Sequence, residues 1–472
     1  MPEIGLHRIV ELLGDWRRGG PAAERLAATL RTLVLDGQMP SGMRLPAERA
    51  LAGGLGLSRA TVTAAYDRLR AEGYLLSTLG SGSWVTIPTV VRQALDDAPP
   101  AELDLTIASL PAPARILELA HVAIAKLPAW LDHHGYSPLG LAPLREAIAA
   151  RYTSRGLPTT PDQVLVTAGA LQAIDLTIRA LLPRGRNALV ELPSYPAVLD
   201  GLRRAGARLR SVPVSSQGWD HEQLEALCSR HEPALAYLIP DFHNPTGALM
   251  DHAARRRALT ALTRAGGYVI VDETFGELNL DGVQQPPPFA AVAPGDRVIT
   301  VGSLSKAVWG GMRVGWVRTA PGLIRRLAAS RAGVDLSSPV LEQLIAAEAF
   351  AELDALLAER RELARSRRSV LAQALHRHLP DWRYTQPAGG LVFWVQMPQP
   401  IATSLMVLAR EHRLALTPGP RFASGGLLER YVRLPFTARP AEIDAAVALI
   451  AEIAPRVAIE QPPETPLSAY AV

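Results

Sequence analysis

Helical spacing governs the apolar positions in the first part of this chain. Between Pro21 and Gln38, Leu26, Leu30, Leu33 and Val34 recur as one face of a helix, with Gly37 and Pro40 as its stop. A second short helix fits PAERALAGGLG, residues 46–56. A third starts at the N-cap candidate Ser58, keeps Val62, Ala65, Tyr66 and Leu69 on one face, and ends by Gly73. Its other face offers Arg59, Thr61 and Thr63. The next stretch, YLLSTLGSGSWVTI, predicts two short strands joined by a Gly-Ser-Gly turn.

After Val85 the periodicity is lost in PTVVRQALDDAPPAELDL, which reads as a linker. A different pattern follows. Short apolar runs, QVLVTAG, NALVELP, LAYLIP, GYVIVDE and RVITVGS, alternate with amphipathic helical stretches, as in a mostly parallel sheet covered by helices. From about Ser337 a long charged helix through AELDALLAERRELARSRRSVLAQAL, with a short mixed region after it, predicts a smaller C-terminal α+β lobe. The expected organisation is a first domain over 1–87, a linker over 88–103, an α/β domain over 104–458 and a disordered tail over 459–472.

Composition narrows the class. At 472 residues and 48% apolar content the chain has material for two to four domains. Its longest apolar runs are broken well before the roughly 18 residues of a spanning helix, and no signal-peptide pattern opens it, so a soluble, cytoplasmic protein is expected. A single cysteine, Cys228, excludes an intrachain disulfide, and the eleven histidines show no metal-ligand spacing. No metal is expected. The net charge of +4 is small, and residues 1–92 carry +3, eleven arginines less eight acids, so one copy of the front module should hold nucleic acid weakly.

Lysine usage does change the picture. The chain has two lysines, Lys126 and Lys306, and 49 lysines and arginines in all, leaving 47 arginines. Arginine cannot lose its proton and act as an amine nucleophile, whereas lysine can condense with an aldehyde. Lys306 in SLSKAVWGGMR is therefore a candidate for chemistry, the alternative being a leftover surface lysine. The strand ends supply company. VTAGALQ places Gly169 and Ala170 at a strand-to-helix junction that favours a phosphate. Tyr195 in ELPSYPAV offers a ring that stacks on a flat cofactor or merely packs. Asn244 in DFHNPTGALM offers a side-chain donor in a turn. Asp272 closes a buried apolar run, where a carboxylate needs a cationic partner. Ser303, Ser305 and Arg313 flank Lys306. Together they fit a planar aromatic aldehyde bearing a phosphate and a ring nitrogen, pyridoxal 5′-phosphate.

Two resemblances follow from these motifs. LPAERALAGGLGLSRATVTAAYDRLRAEGYLLSTLGSGSWV resembles the winged helix-turn-helix domain of GntR-type bacterial regulators. That likeness implies that Arg49 and Arg59 contact double-stranded operator DNA, with Thr61 and Thr63 on the reading helix and Gly82 letting the wing approach the backbone. Asn-Pro-x-Gly, then Asp, then Ser-x-Ser-Lys, then Arg resembles the type I aminotransferase fold. It implies Lys306 as the Schiff-base lysine, Asp272 as ring-nitrogen partner, Asn244 as donor to the ring oxygen and Tyr195 as stacking ring. Gly169, Ala170, Ser303, Ser305 and Arg313 would hold the phosphate. Tyr136 looks like the tyrosine that reaches a neighbouring subunit's phosphate, and Arg433 like the arginine that takes an amino acid's carboxylate, the alternative being a strand-end salt bridge.

Joined by a linker, the two parts resemble the MocR subfamily of GntR-type transcription regulators. The likeness implies a head-to-tail homodimer whose large domain senses pyridoxal phosphate or an amine or amino-acid effector. Two other classes stay open, a working aminotransferase carrying a DNA-binding domain and a regulator whose large domain is only a dimerisation scaffold. One departure bears on the choice. The family's tyrosine two or three residues past the aspartate is replaced here by Thr274 and Phe275, so slow turnover is expected.

Overall fold

The computed structural model describes residues 4–13, 16–17, 21–35, 39, 43–78, 82–86, 101–292, 295–423 and 427–460. Most of the expected linker, and the tail beyond residue 460, lie outside them.

The front module has its own core. Helices Ala22–Leu35, Glu48–Leu55 and Arg59–Ala71 bury the apolar faces read from the sequence, Leu26, Leu30, Val62, Ala65 and Tyr66 being fully enclosed. Ser58 caps the third helix, its hydroxyl accepting from the Thr61 amide at 3.1 Å. Two elements add to the expected set. Leu6–Leu13 forms a helix that buries Ile9, Leu12 and Leu13 in the same core. Strand β1 (Arg44–Leu45) pairs antiparallel with β3 (Gly82–Val85), which pairs with β2 (Leu75–Thr78), so the wing is a three-stranded sheet.

The large lobe is built on eight strands: β5 (Val164–Thr167), β6 (Asn187–Leu192), β7 (Arg208–Ser215), β8 (Gly218–Trp219), β9 (Leu235–Leu238), β10 (Tyr268–Asp272), β11 (Val298–Ser303) and β12 (Gly315–Arg318). Their order is β5-β12-β11-β10-β9-β6-β7-β8. From β11 to β7 the neighbours are parallel, and β12 runs antiparallel between β5 and β11. The strands read as unbroken apolar runs because both faces are covered. Along β5, Val164 and Val166 enter one core cluster and Leu165 the opposite one, and along β10, Val269 and Val271 part from Ile270 in the same way.

The small lobe centres on the antiparallel sheet β13 (Arg383–Tyr384), β14 (Val392–Gln396), β17 (Tyr431–Pro435) and β16 (Thr417–Pro418). It does not begin near Ser337 as expected. The helix Val340–Ala351 packs on helices Arg115–Lys126 and Ala142–Ser154, with Ala346 and Ala349 in the large-lobe core. The long helix Leu353–His378 bridges the lobes, since Leu353, Leu356 and Leu357 belong to the large-lobe core and Leu371, Ala374 and Leu375 to the small-lobe core. The small lobe also takes in an earlier segment. Strand β4 (Leu103–Asp104) pairs parallel with β15 (Leu414–Ala415), and Leu105, Ala108 and Leu110 are buried in the same cluster. Among the described residues no helix is long and apolar enough to cross a membrane.

Candidate functional site

Parallel strands place the candidate residues on one rim, because every β-to-α turn of such a sheet opens at the carboxyl ends of its strands. Asp272 is the last residue of β10, Asn244 follows β9, Tyr195 follows β6, Gly169 follows β5, and Lys306 sits in the short helix Leu304–Ala307 directly after β11. The two lysines have different fates. Lys126 lies on the surface in an ion pair with Glu348, whereas Lys306 is partly buried with its Nζ donating to the Ala108 carbonyl at 2.8 Å. Burial first, then the charges of Arg433 and Arg313, bring the Lys306 amine down to about 8, with Asp272 opposing. The nucleophile is the neutral amine, so capture of added pyridoxal phosphate should accelerate about tenfold per pH unit below that value and level off above it. Stopped-flow absorbance on apo-protein reads this, and a rate flat between pH 6 and 8 counts against Lys306 as the capturing group.

Asp272 is buried, which raises its pKa, while hydrogen bonds from Tyr237 and Thr274 oppose the rise. The Tyr237 hydroxyl donates to Oδ2 at 2.7 Å and the Thr274 amide to Oδ1 at 3.0 Å. Asn244 is buried, and its Oδ1 has no protein partner. Beneath it Glu191 accepts from Trp219 Nε1 at 2.6 Å and from the Ile239 amide, and lies 3.2 Å from His243 Nε2, so a buried polar network fixes the Asn-Pro turn. Tyr195 is partly buried near Asp272, and its phenol is raised, by burial first.

The residues expected to cradle a phosphate are equally constrained. Gly169 has a φ of +85°, and a Cβ there would lie 2.7 Å from Arg313 Nη2, so only glycine fits. Its carbonyl side leads into the helix Ala170–Leu181, whose first amides face the rim. Arg313 donates to the Ala168 carbonyl at 2.9 Å and holds a left-handed φ of 51°, a conformation costly outside glycine. The Ser303 and Ser305 hydroxyls are 2.9 Å apart. A buried carboxylate, an amine of lowered pKa and an anion cradle in one rim fit pyridoxal 5′-phosphate, and Lys306 would be its attachment point. That cofactor would supply an electron sink, and the chain's own groups orient it.

Arg433, on β17, is buried, and burial lowers its pKa to about 10. Its Nη2 donates to the Thr106 carbonyl and, at 3.4 Å, to Thr417 Oγ1, while Nε lacks a partner. Among the described residues its hydrogen bonds go to a carbonyl and a hydroxyl and not to a carboxylate, as a strand-end salt bridge would require. Tyr136 is exposed, its ring against His134 rather than against the residues of the rim. The replaced phenol position is explained by packing. Phe275 belongs to the small-lobe core with Phe242 and Leu278, and Thr274 serves Asp272 through its amide. Sequence reasoning missed Tyr237 and the strap 104–110. Tyr237 carried only the signal of a polar tip in an apolar strand, and the strap none.

In the front module Arg49 and Arg59 are exposed, Thr61 Oγ1 is 2.8 Å from Ser58 Oγ, and Thr63 donates to Glu48 at 2.8 Å, tying the two helices together. Gly82 has a φ of +101°, and a Cβ there would meet the Arg44 guanidinium at 2.8 Å.

Comparison with known families defines the class. Residues 121–450 match the model "Aminotransferase class I and II", and residues 22–85 match "Bacterial regulatory proteins, gntR family". The chain is 36% identical to the 2-aminoadipate transaminase of Thermus thermophilus over 298 residues, 62% of this chain and 74% of that protein. It is 30% identical to the "Probable rhizopine catabolism regulatory protein MocR" of Rhizobium meliloti over 392 residues, 77% of this chain and 78% of that one. The solved α-aminoadipate aminotransferase LysN of Thermus thermophilus, complexed with N-(5′-phosphopyridoxyl)-L-leucine, superposes with a TM-score of 0.70 at 29% identity, covering 83% of this chain and 98% of that one. The chain thus belongs to the class I and II aminotransferase family and, with its gntR module, to the MocR-type GntR regulators. Membership implies pyridoxal 5′-phosphate as its cofactor.

Proposed function

We propose that this protein is a cytoplasmic transcription regulator that binds operator DNA as a homodimer and senses pyridoxal phosphate, or an amine or amino acid, through its aminotransferase-like domain. The observation that carries this reading is the strap 104–110, which follows the linker and clasps the rim residue by residue. The Thr106 carbonyl accepts from Arg433, the Ile107 carbonyl from Thr437 Oγ1 at 2.6 Å and the Ala108 carbonyl from Lys306, while Ser109 Oγ donates to the Ser305 carbonyl at 3.1 Å. A ligand carboxylate is a stronger acceptor for a guanidinium than a peptide carbonyl, so an effector bound at Arg433 competes with Thr106. The strap then has two arrangements, and the ligand favours one, which is the differential contact a switch requires. Its far end is the linker to the DNA-reading module. The exposed Tyr136 suits a head-to-tail partner, and pairing two weak modules at fixed spacing raises their joint affinity.

A mobility-shift titration with pyridoxal phosphate and a panel of amino acids, at one fixed salt concentration, tests this on wild type and Lys306→Ala. A ligand-dependent change in operator affinity is expected in wild type only, and the same change in both would remove Lys306 from the sensing role. In that assay Arg59→Ala should weaken specific binding by about 1–3 kcal/mol if Arg59 reads a base, and mostly reduce the salt slope if it touches phosphate. Unchanged affinity and salt slope would take Arg59 out of the interface. A second reading, an active transaminase with a DNA-binding domain, is favoured by the joint presence of Lys306, Asp272, Asn244 and Arg433. Sustained turnover on the order of 10 s⁻¹ with a keto-acid acceptor would establish it.

A further inference from the structure

We infer that Tyr237 is a positioning residue that holds Asp272 ionised and aimed at a ring nitrogen, an inference that rests on the cofactor reading above. The sheet builds the contact. β9 and β10 are parallel, and Tyr237 lies opposite Ile270, two residues short of Asp272. Tyr237 and Ile270 share one core cluster, and residues two apart on a strand point to the same face, so the phenol leans forward along the sheet onto the carboxylate. The result is the 2.7 Å bond to Oδ2, opposite the Thr274 amide on Oδ1. Each oxygen keeps a lone-pair direction for another partner, since a carboxylate has about four acceptor positions.

Packing alone does not account for the hydroxyl. Tyr237 is fully buried among Leu235, Ile239, Ile270 and Ile299, where a phenylalanine ring would fill the same space without a polar atom to satisfy. The groups whose charge reaches the phenol are Asp272, Glu191 on β6 and Tyr195 after it. Burial, and then the Asp272 charge, push the Tyr237 phenol well above its usual range, so it stays protonated and can only donate in this contact. Asp272 is set by burial, by the Tyr237 and Thr274 donors and by Glu191, and Lys306 and Tyr195 feel its charge. Burial favours the neutral acid, and the donated phenol proton offsets it. Without that donor Asp272 becomes more basic and draws a shared proton toward itself, which weakens electron withdrawal at the ring it serves.

The test uses the full chain loaded with pyridoxal 5′-phosphate and reads the pH titration of its visible absorbance band. Tyr237→Phe is expected to move the midpoint upward, by a part of the about one to two pH units that a lost hydrogen bond to a charged group makes at Asp272 itself. In an Asp272→Asn background the same change should move it no further, because Tyr237 acts only through Asp272. Site-specific 3-fluorotyrosine at 237, a stronger donor of nearly the same volume, should shift the midpoint downward, and this keeps the test open if the phenylalanine variant folds poorly. A wild-type titration with unshifted midpoints in both variants overturns the role of Tyr237 and leaves the cofactor reading standing. Wild type that takes up no pyridoxal phosphate overturns both.

Discussion

Lys306→Ala protein, incubated with pyridoxal phosphate and treated with borohydride, is expected to carry no covalent label, whereas Lys126→Ala should be labelled as fully as wild type. The effect is all or none because the chain has two lysines and their surroundings are opposite. Lys126 is exposed and spends its charge on Glu348. Lys306 lies between Asp272, Arg433 and Arg313 with its pKa brought down to about 8, so an appreciable share of it is neutral near physiological pH. Mass spectrometry of the reduced proteins reads the outcome. A label retained in Lys306→Ala would move the attachment to Lys126 or to the α-amino group and would leave the rim without its nucleophile.

Arg433→Ala is expected to abolish discrimination between an amino acid and its decarboxylated amine. Arg433 sits buried with an unpartnered Nε and a carbonyl as its main acceptor, so a carboxylate would gain charge-assisted, bidentate contacts in a desolvated place. Removing one partner of such a pair costs about 2–5 kcal/mol, roughly 30-fold to several thousandfold in affinity. Titrations of cofactor-loaded protein with L-leucine and with isoamylamine, followed by absorbance, measure it. L-leucine should weaken by that factor and the amine by no more than a few-fold. Arg433→Lys should rescue little, because an ammonium lacks the planar fork. Equal weakening of both ligands would instead make Arg433 a clasp for Thr106 of the strap.

Much of this architecture was legible in the chain because its signals are local. Ser58 followed by Val62, Ala65, Tyr66 and Leu69 specifies a capped helix face, and all four apolar residues are buried. The parallel strands declared themselves as apolar runs because alternate residues feed two different cores. The candidate residues stand at the ends of those runs, so locating the strands also locates the rim. What escaped was short or non-local. The helix Leu6–Leu13 is only eight residues long, and the four-residue β12 owes its place to pairing with β11 and with β5, the latter far from it in order.

By itself, then, the sequence determined most of the secondary elements and marked Lys306, Asp272 and the Gly169 turn as candidates, since each depends on residue type and spacing within one segment. Tertiary structure alone decided which side chains serve them. Tyr237 stands 35 positions before Asp272, Thr106 stands 327 before Arg433, and Ala108 stands 198 before Lys306. No period along a chain encodes those distances. They exist because parallel β9 and β10 run in register and because the strap is buried in the small-lobe core, where Leu105, Ala108 and Leu110 turn its carbonyls toward the rim.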